Sequence, residues 1–281
     1  MTGLNHFLID PPAMISFSGG RTSGYMLYRI IAAHEGMLPD DVHVVFANTG
    51  KEREETLRFV QQCSVRWQVD IRWVEWRKNP SGFAEVDFHD ASRKGEPFAE
   101  LIADKQTVPR GHMRFCTNHL KVKTMAAFMQ AQGLIEGSYT EAVGLRYDEG
   151  HRILKMLERN DQFSRRCRAP LSRARQTIHD VMAFWAAQPF DLELRPGEGN
   201  CDLCFLKGVA LRKELIRRRP ESVQWWIEQE RKTGFNFSGR ESFTDLLNEV
   251  TLQPDMFDEL VDEHDTECGL LCSADEPSTY A

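Results

Sequence analysis

Two short segments hold residue types whose spacing suits chemistry. The first is Ser18-Gly19-Gly20-Arg21-Thr22-Ser23. Glycines let a backbone adopt positive φ and approach a ligand closely. Successive N–H groups then form an anion-binding nest, reinforced by the N-terminus of a following helix. Ser18, Thr22 and Ser23 add hydroxyls, and Arg21 adds positive charge. The plain alternative is a tight strand-to-helix turn without a ligand. The spacing matches neither the Gly-x4-Gly-Lys-Ser/Thr phosphate loop nor the dinucleotide Gly-x-Gly-x-x-Gly. The second segment is Cys201-Asp202-Leu203-Cys204. Its Cys-x2-Cys spacing suits one metal ion or one edge of a cluster, and equally a redox pair.

These residues need elements to hold them. Residues 13–17 read as a short buried strand feeding the glycine loop, and an apolar helical face follows on Tyr25, Met26, Leu27, Ile30 and Ile31. Residues 42–46 read as a second strand, 52–67 as a helix, and 69–74 as a third strand. This alternation argues for an α/β fold, a parallel twisted sheet flanked by helices with right-handed crossovers. Residues 77–115 contain Pro80, Gly82, Gly95, Pro97, Pro109 and Gly111, and read as a long irregular segment. A helix over 118–132, a strand over 139–145 and a helix over 177–188 follow. Composition shifts at the turn-rich residues 195–200, which gives two regions. Residues 1–190 form the α/β unit, and 191–281 form a helical C-terminal region with the Cys-x2-Cys pair, a basic helix and a tail.

The chain has 281 residues, a net charge of −7 and seven cysteines. An acidic balance disfavours bulk-basic nucleic-acid binding but leaves room for a local patch. Lys207, Arg212, Lys213, Arg217, Arg218 and Arg219 make such a patch, with Trp225 and Trp226 after it. Its two readings are a solvated helix face and a nucleic-acid docking surface; the two tryptophans read first as core or interface residues. No apolar run approaches the ~20 residues that span a bilayer. The expectation is no membrane partner and a cytoplasmic protein with reduced thiols, so its cysteines serve as ligands, nucleophiles or core residues rather than disulfides. Cys63 reads as core, and Cys167, among Arg165, Arg166 and Arg168, as an edge-strand residue or a thiol of lowered pKa.

Four motifs, in order, carry a family resemblance. Ser-Gly-Gly-x-x-Ser after the first strand resembles the PP-loop of the adenine-nucleotide α-hydrolases, a group that includes ATP pyrophosphatases and the phosphoadenosine phosphosulfate (PAPS) reductase family. Residues 48–56, starting Asn48-Thr49-Gly50, resemble that family's second-strand segment. Residues 114–122, containing Cys116 and Lys121, resemble its cysteine stretch before a Lys-Val helix, and Gly144-Leu145-Arg146 with Glu149 resembles its Gly-x-Arg-x-x-Glu segment. The resemblance implies an adenine nucleotide α-hydrolase-like, Rossmann-like fold. The loop would hold phosphates, Asn48, Thr49 and Gly50 would bind adenosine, and Gly144, Arg146 and Lys121 would attend the phosphate or sulfate oxygens; the plain alternative for Arg146 is a surface ion pair with Asp148 or Glu149. Lys51 is a weaker candidate, since a first-turn lysine is commonly solvated.

The resemblance also bears on the cysteines. The iron–sulfur type of sulfonucleotide reductase pairs an adjacent Cys-Cys with a later Cys-x2-Cys around a [4Fe-4S] centre; here Phe115 replaces one of those cysteines. Cys116, Cys201 and Cys204 would then need a fourth ligand such as Cys272 or Cys268, or leave one iron open. Zinc and no metal remain alternatives. Glu267-Cys268-Gly269-Leu270 resembles the mobile reductase segment whose cysteine attacks sulfur, although Leu271 stands where the family has His. Three functions follow as expectations. The first is an ATP pyrophosphatase, releasing AMP and pyrophosphate with Mg²⁺ and transferring sulfur to an acceptor that could be a nucleic acid. The second is a reductase of adenosine phosphosulfate (APS) or PAPS using Cys268 and a thioredoxin-like reductant. The third is a non-catalytic nucleotide- or nucleic-acid-binding module with a zinc-stabilised tail. Many relatives self-associate, so a homo-oligomer is also expected.

Overall fold

The computed structural model describes residues 5–163, 165–195 and 197–252. Cys268 and Cys272 lie outside these residues. A six-stranded sheet runs in the order β4-β3-β2-β1-β5-β6. The strands are β1 (Ala13–Ser16), β2 (Val42–Ala47), β3 (Ile71–Trp76), β4 (Phe83–Val86), β5 (Thr140–Val143) and β6 (Cys167–Arg168). All neighbours pair in parallel except β3 with β4. β1 and β5 are buried along their whole length, as expected for a parallel sheet covered on both faces.

The helices are α1 (Arg21–Ala33), α2 (Glu54–Trp67), α3 (Glu96–Lys105), α4 (Phe115–Thr117), α5 (Thr124–Ala131), α6 (Gly150–Phe163), α7 (Pro170–Arg173), α8 (Ile178–Ala186), α9 (Val209–Arg218), α10 (Gln224–Thr233) and α11 (Phe243–Leu252). Thr177 opens α8 through a reciprocal capping box with Asp180. A π-helical stretch, Asn118–Lys123, joins α4 to α5 where a single α-helix is expected. Such stretches store local irregularity and recur at functional sites.

Two differences from the sequence reading have physical causes. The segment 77–115 is not irregular throughout, because it contains β4 and α3. Gly95 and Pro97, read as breakers, mark a helix start instead: Gly95 is the left-handed N-cap and Pro97 sits in the first turn, where its missing N–H costs nothing. α6 has no counterpart in the sequence reading, because Met156 is its one buried side chain among the described residues.

One apolar cluster packs α1 and α2 against one sheet face, with Trp185 of α8 and with Leu192 and Leu194 beyond it. A second joins Phe98, Leu101, Ile102, Phe115 and Leu120 to Leu203, Leu215, Trp226, Phe237 and Phe243. This second cluster draws on both sides of residue 190, so the C-terminal helices share a core with α3 and α4. Among the described residues, no helix is long and apolar enough to cross a membrane.

Candidate functional site

The strand order reverses at β1: the chain runs outward through β2 and β3, then returns to β5 on β1's other side. Open α/β sheets bind ligands at such a switch point, beyond the carboxyl ends of the strands. Residues 18–23 stand there. Gly19 has φ +78°, and a Cβ on it would come within 2.8 Å of Thr56 Cγ2. Both facts require glycine. Gly144, at the end of β5, packs so closely that a Cβ would meet the Ser23 Cα at 3.1 Å. The loop and the first turn of α1 thus pack closely against Thr56 and against the end of β5.

Gly20 is the N-cap of α1, with no side-chain cap and no acidic residue in the first turn. The helix therefore presents its N-terminal partial positive charge without an internal counter-charge. The loop's hydroxyls organise it locally. The Ser18 and Ser23 hydroxyls lie 2.9 Å apart, Ser18 N–H donates to Ser23 Oγ at 3.2 Å, and Thr22 Oγ1 accepts from Arg146 Nη1 at 3.0 Å. Arg21 points elsewhere. Its guanidinium pairs with Asp191 at 2.8 Å and donates to the Leu192 carbonyl, so its charge tethers the chain after α8.

The residues assigned to adenosine are buried and internally bonded. Asn48 Nδ2 donates to Glu75 at 2.6 Å and to the Ser92 carbonyl at 2.9 Å, while its Oδ1 accepts from Gly50 N–H. Thr49 donates to Glu52 from both its N–H and its hydroxyl, each at 2.7 Å. These residues shape the floor of the crevice. Arg146 is 4% exposed, and it pairs with Asp148 at 3.1 Å and with Glu149 at 3.6 Å. Lys121 reaches Glu52 at 3.5 Å from the π-helical stretch. Lys51 is not solvated: it is buried, pairs with Asp202 at 2.7 Å and lies 4.9 Å over the Trp225 ring.

The structure brings the Cys-x2-Cys segment to this floor. Asn200 Nδ2 donates to the Ser18 carbonyl at 2.7 Å. Arg53 N–H donates to Asn200 O, Asp202 N–H donates to Lys51 O, and Cys201 bridges Glu52 in antiparallel fashion. Cys201 and Cys204 share a thiol hydrogen bond, which with burial and nearby negative charge holds the Cys201 thiol well above its ordinary pKa. Lys207 is buried and donates to the Cys201 and Asp202 carbonyls at 3.2 and 3.3 Å. Burial lowers its pKa, and the two thiols oppose that shift.

Cys116 packs against the same apolar cluster as Cys201. Among the described residues, no three His, Cys, Asp or Glu side chains form a metal-ligating group. Cys201 and Cys204 supply two sulfur donors at one edge. None of the five described cysteines is disulfide-bonded. Cys63 is core. Cys167 is the expected edge-strand residue, and its thiol is pushed up by burial and by Glu141, whose carboxylate takes the charge of Arg165.

Sequence alone assigned no charge-balancing role to Glu52, Asp202 or Glu198, which pair with Lys121, Lys51 and Arg53, and did not show the Asn200 bond to Ser18, whose partners stand 182 residues apart. The asparagine before Cys-x2-Cys was its one legible sign.

The fold and site define an α/β protein with a glycine loop at a sheet switch point and a cysteine pair docked beside it. No family model matches the chain. It is 30% identical over 209 residues to an uncharacterized nin region protein of Escherichia phage lambda, covering 70% of this chain and 66% of that protein. It is 26% identical over 163 residues to an uncharacterized protein of Methanocaldococcus jannaschii, covering 57% of this chain and 28% of that one. The chain thus spans just under two thirds of the phage protein and about a quarter of the archaeal one.

Proposed function

We propose that the chain is a PP-loop enzyme related to the PAPS reductase family, which activates an acceptor with ATP and couples this to sulfur transfer. The observation that carries this reading is the uncapped α1 N-terminus behind residues 18–23, with Cys201 and Cys204 tied to the same loop through Asn200. A triphosphate placed there meets α1 N–H groups and the Ser18 and Thr22 hydroxyls. An acceptor oxygen attacks the α-phosphorus, the bridging P–O bond to the β-phosphate breaks, and pyrophosphate leaves. Arg146 and Lys121 are the cations that offset charge developing on the phosphate oxygens. A persulfide sulfur carried on Cys201 or Cys204, loaded by a separate sulfur donor, then attacks the activated carbon. The C–O bond breaks and AMP leaves, and the other cysteine cleaves the S–S bond, leaving a Cys201–Cys204 disulfide that a thioredoxin-like thiol reduces. Mg²⁺ would accompany ATP as its counter-ion.

The test is release of AMP and pyrophosphate from ATP by the full chain, with tRNA and DNA among the acceptors. Release is expected, and Gly19→Val should abolish it because a side chain there meets Thr56. No release with any acceptor would sink the reading. A second reading, an APS or PAPS reductase, rests on Glu267-Cys268-Gly269-Leu270. It requires sulfite release that Cys268→Ser eliminates. Nucleotide binding without turnover of any substrate would favour a binding module.

A further inference from the structure

Away from the loop, a solvent-open cavity of about 410 Å³ is lined by Asn5, His6, Phe7, Arg29, Arg173 and Arg175, with Ala174 between the last two. Arg29 lies two helical turns beyond Arg21 on α1, about 12 Å along the axis. The cavity therefore does not belong to the crevice at the start of that helix.

Its lining is basic and without an acid. Arg29 is held in place by neutral groups alone: its guanidinium stacks 4.3 Å over the Phe7 ring, and Nη1 donates to Tyr25 Oη at 2.7 Å and Gln176 Oε1 at 3.2 Å. Arg29, Arg173 and Arg175 form no ion pair among the described residues, whereas most other arginines here do. His6 Nδ1 is buried and has no hydrogen-bond partner in the structure. Three arginines and His6 thus line one open space in a chain of net charge −7.

We propose that this cavity binds a phosphate group. Guanidinium forks match phosphate oxygens two at a time, and a phosphate brings more negative charge than a carboxylate. The open mouth admits a phosphate carried on a larger molecule, such as the backbone of a nucleic-acid strand, as well as a free phosphate. The inference stands on the cavity alone and does not depend on the reading of the glycine loop.

The experiment uses the full chain and its Arg173→Ala/Arg175→Asn variant. Asparagine is chosen at 175 because Arg175 has φ +55° and Asn tolerates that region. Equal thermal midpoints establish that both fold. A labelled oligo-dT is titrated by fluorescence anisotropy at several salt concentrations, and inorganic phosphate by calorimetry. Three phosphate contacts predict a slope of log K against log salt near about −2 for a single strand, and the variant should lose about 1.4 of it. That result supports the site with a nucleic-acid source. Phosphate binding that the variant loses, with no oligonucleotide binding, supports it with a free phosphate source. If the variant matches the parent for both probes, the proposal is overturned. Gly19→Val should leave this binding intact while removing nucleotide turnover, so the two readings fail separately.

Discussion

Two basic regions of this chain look alike in composition and differ in electrostatics. α9 and its flanks carry six cations within 13 positions, from Lys207 to Arg219. Lys213 pairs with Glu249, Arg217 and Arg218 with Glu214, and Arg219 with Glu55. Arg212 is buried and donates to the Lys207 carbonyl. The cavity arginines come from two distant parts of the sequence, yet they keep their charge for solvent or a ligand. A run of like charge in a sequence is therefore a poor guide to the field at a surface, because partners come from other elements. α9 is a paired, packed helix, with Trp226 in the core and Trp225 against Gly95 and Lys51.

The comparison can be broken by removing acids. Glu149→Ala leaves Arg146 buried with one carboxylate fewer and also strips Arg152 of its partner. Losing one side of a buried pair costs about 3 kcal/mol or more, so urea denaturation should show a large drop. A result below about 1 kcal/mol would mean that Arg146 is not dependent on its acids.

A third basic neighbourhood sharpens the contrast. His119 is half-buried near Lys105 and Lys123, and burial first, then those lysines, lower its pKa to about 4, with Asp104 opposing. Its folded value lies below the ordinary 6.5, so the stability it lends is present above that pH and is lost as pH falls towards about 4. Thermal midpoints measured across this window should fall less steeply in His119→Gln. Identical slopes would mean that folding leaves the His119 pKa unchanged.

Smaller effects follow on the two basic regions themselves. Glu214→Ala exposes two arginines of α9 that are already part-solvated, and it should cost no more than about 1 kcal/mol. Arg173→Ala should change stability by less than about 0.5 kcal/mol, because the side chain is exposed and makes no ion pair among the described residues. A larger loss would show that the cavity arginines serve the fold rather than a ligand.

Much of the sheet was legible. β1, β2 and the glycine loop announce themselves because their side chains are almost all buried and a Gly-Gly pair sits between a strand and a helix. β3 was read two residues early at both ends: Val69 and Asp70 extend the pattern, but pairing with β2 runs from Ile71 to Val74. Loop chemistry was legible as residue type but not as partnership. Arg21 looked like a phosphate ligand, and only the fold shows Asp191 beside it. Asn48 and Thr49 looked like ligand contacts, and their polar atoms are spent on Glu75, Ser92 and Glu52. Thr49 and Glu52 form a local Thr-x-x-Glu pair, but the Arg21 and Asn48 pairings join positions 27 to 170 residues apart, so no local pattern encodes them.

The place of β1 has a consequence for how the chain acquires its structure. As the central strand, it pairs with β2 at once but with β5 only through the register Ala13↔Thr140 to Ser16↔Val143. A ribosome must therefore deliver about half the chain before the sheet can close on both sides of the glycine loop. The Asn200 clasp on Ser18 forms later still. Contacts of such long sequence separation slow folding, because the loop entropy is lost before the contact is gained. The crevice is thus completed late, by residues synthesised long after the loop they flank.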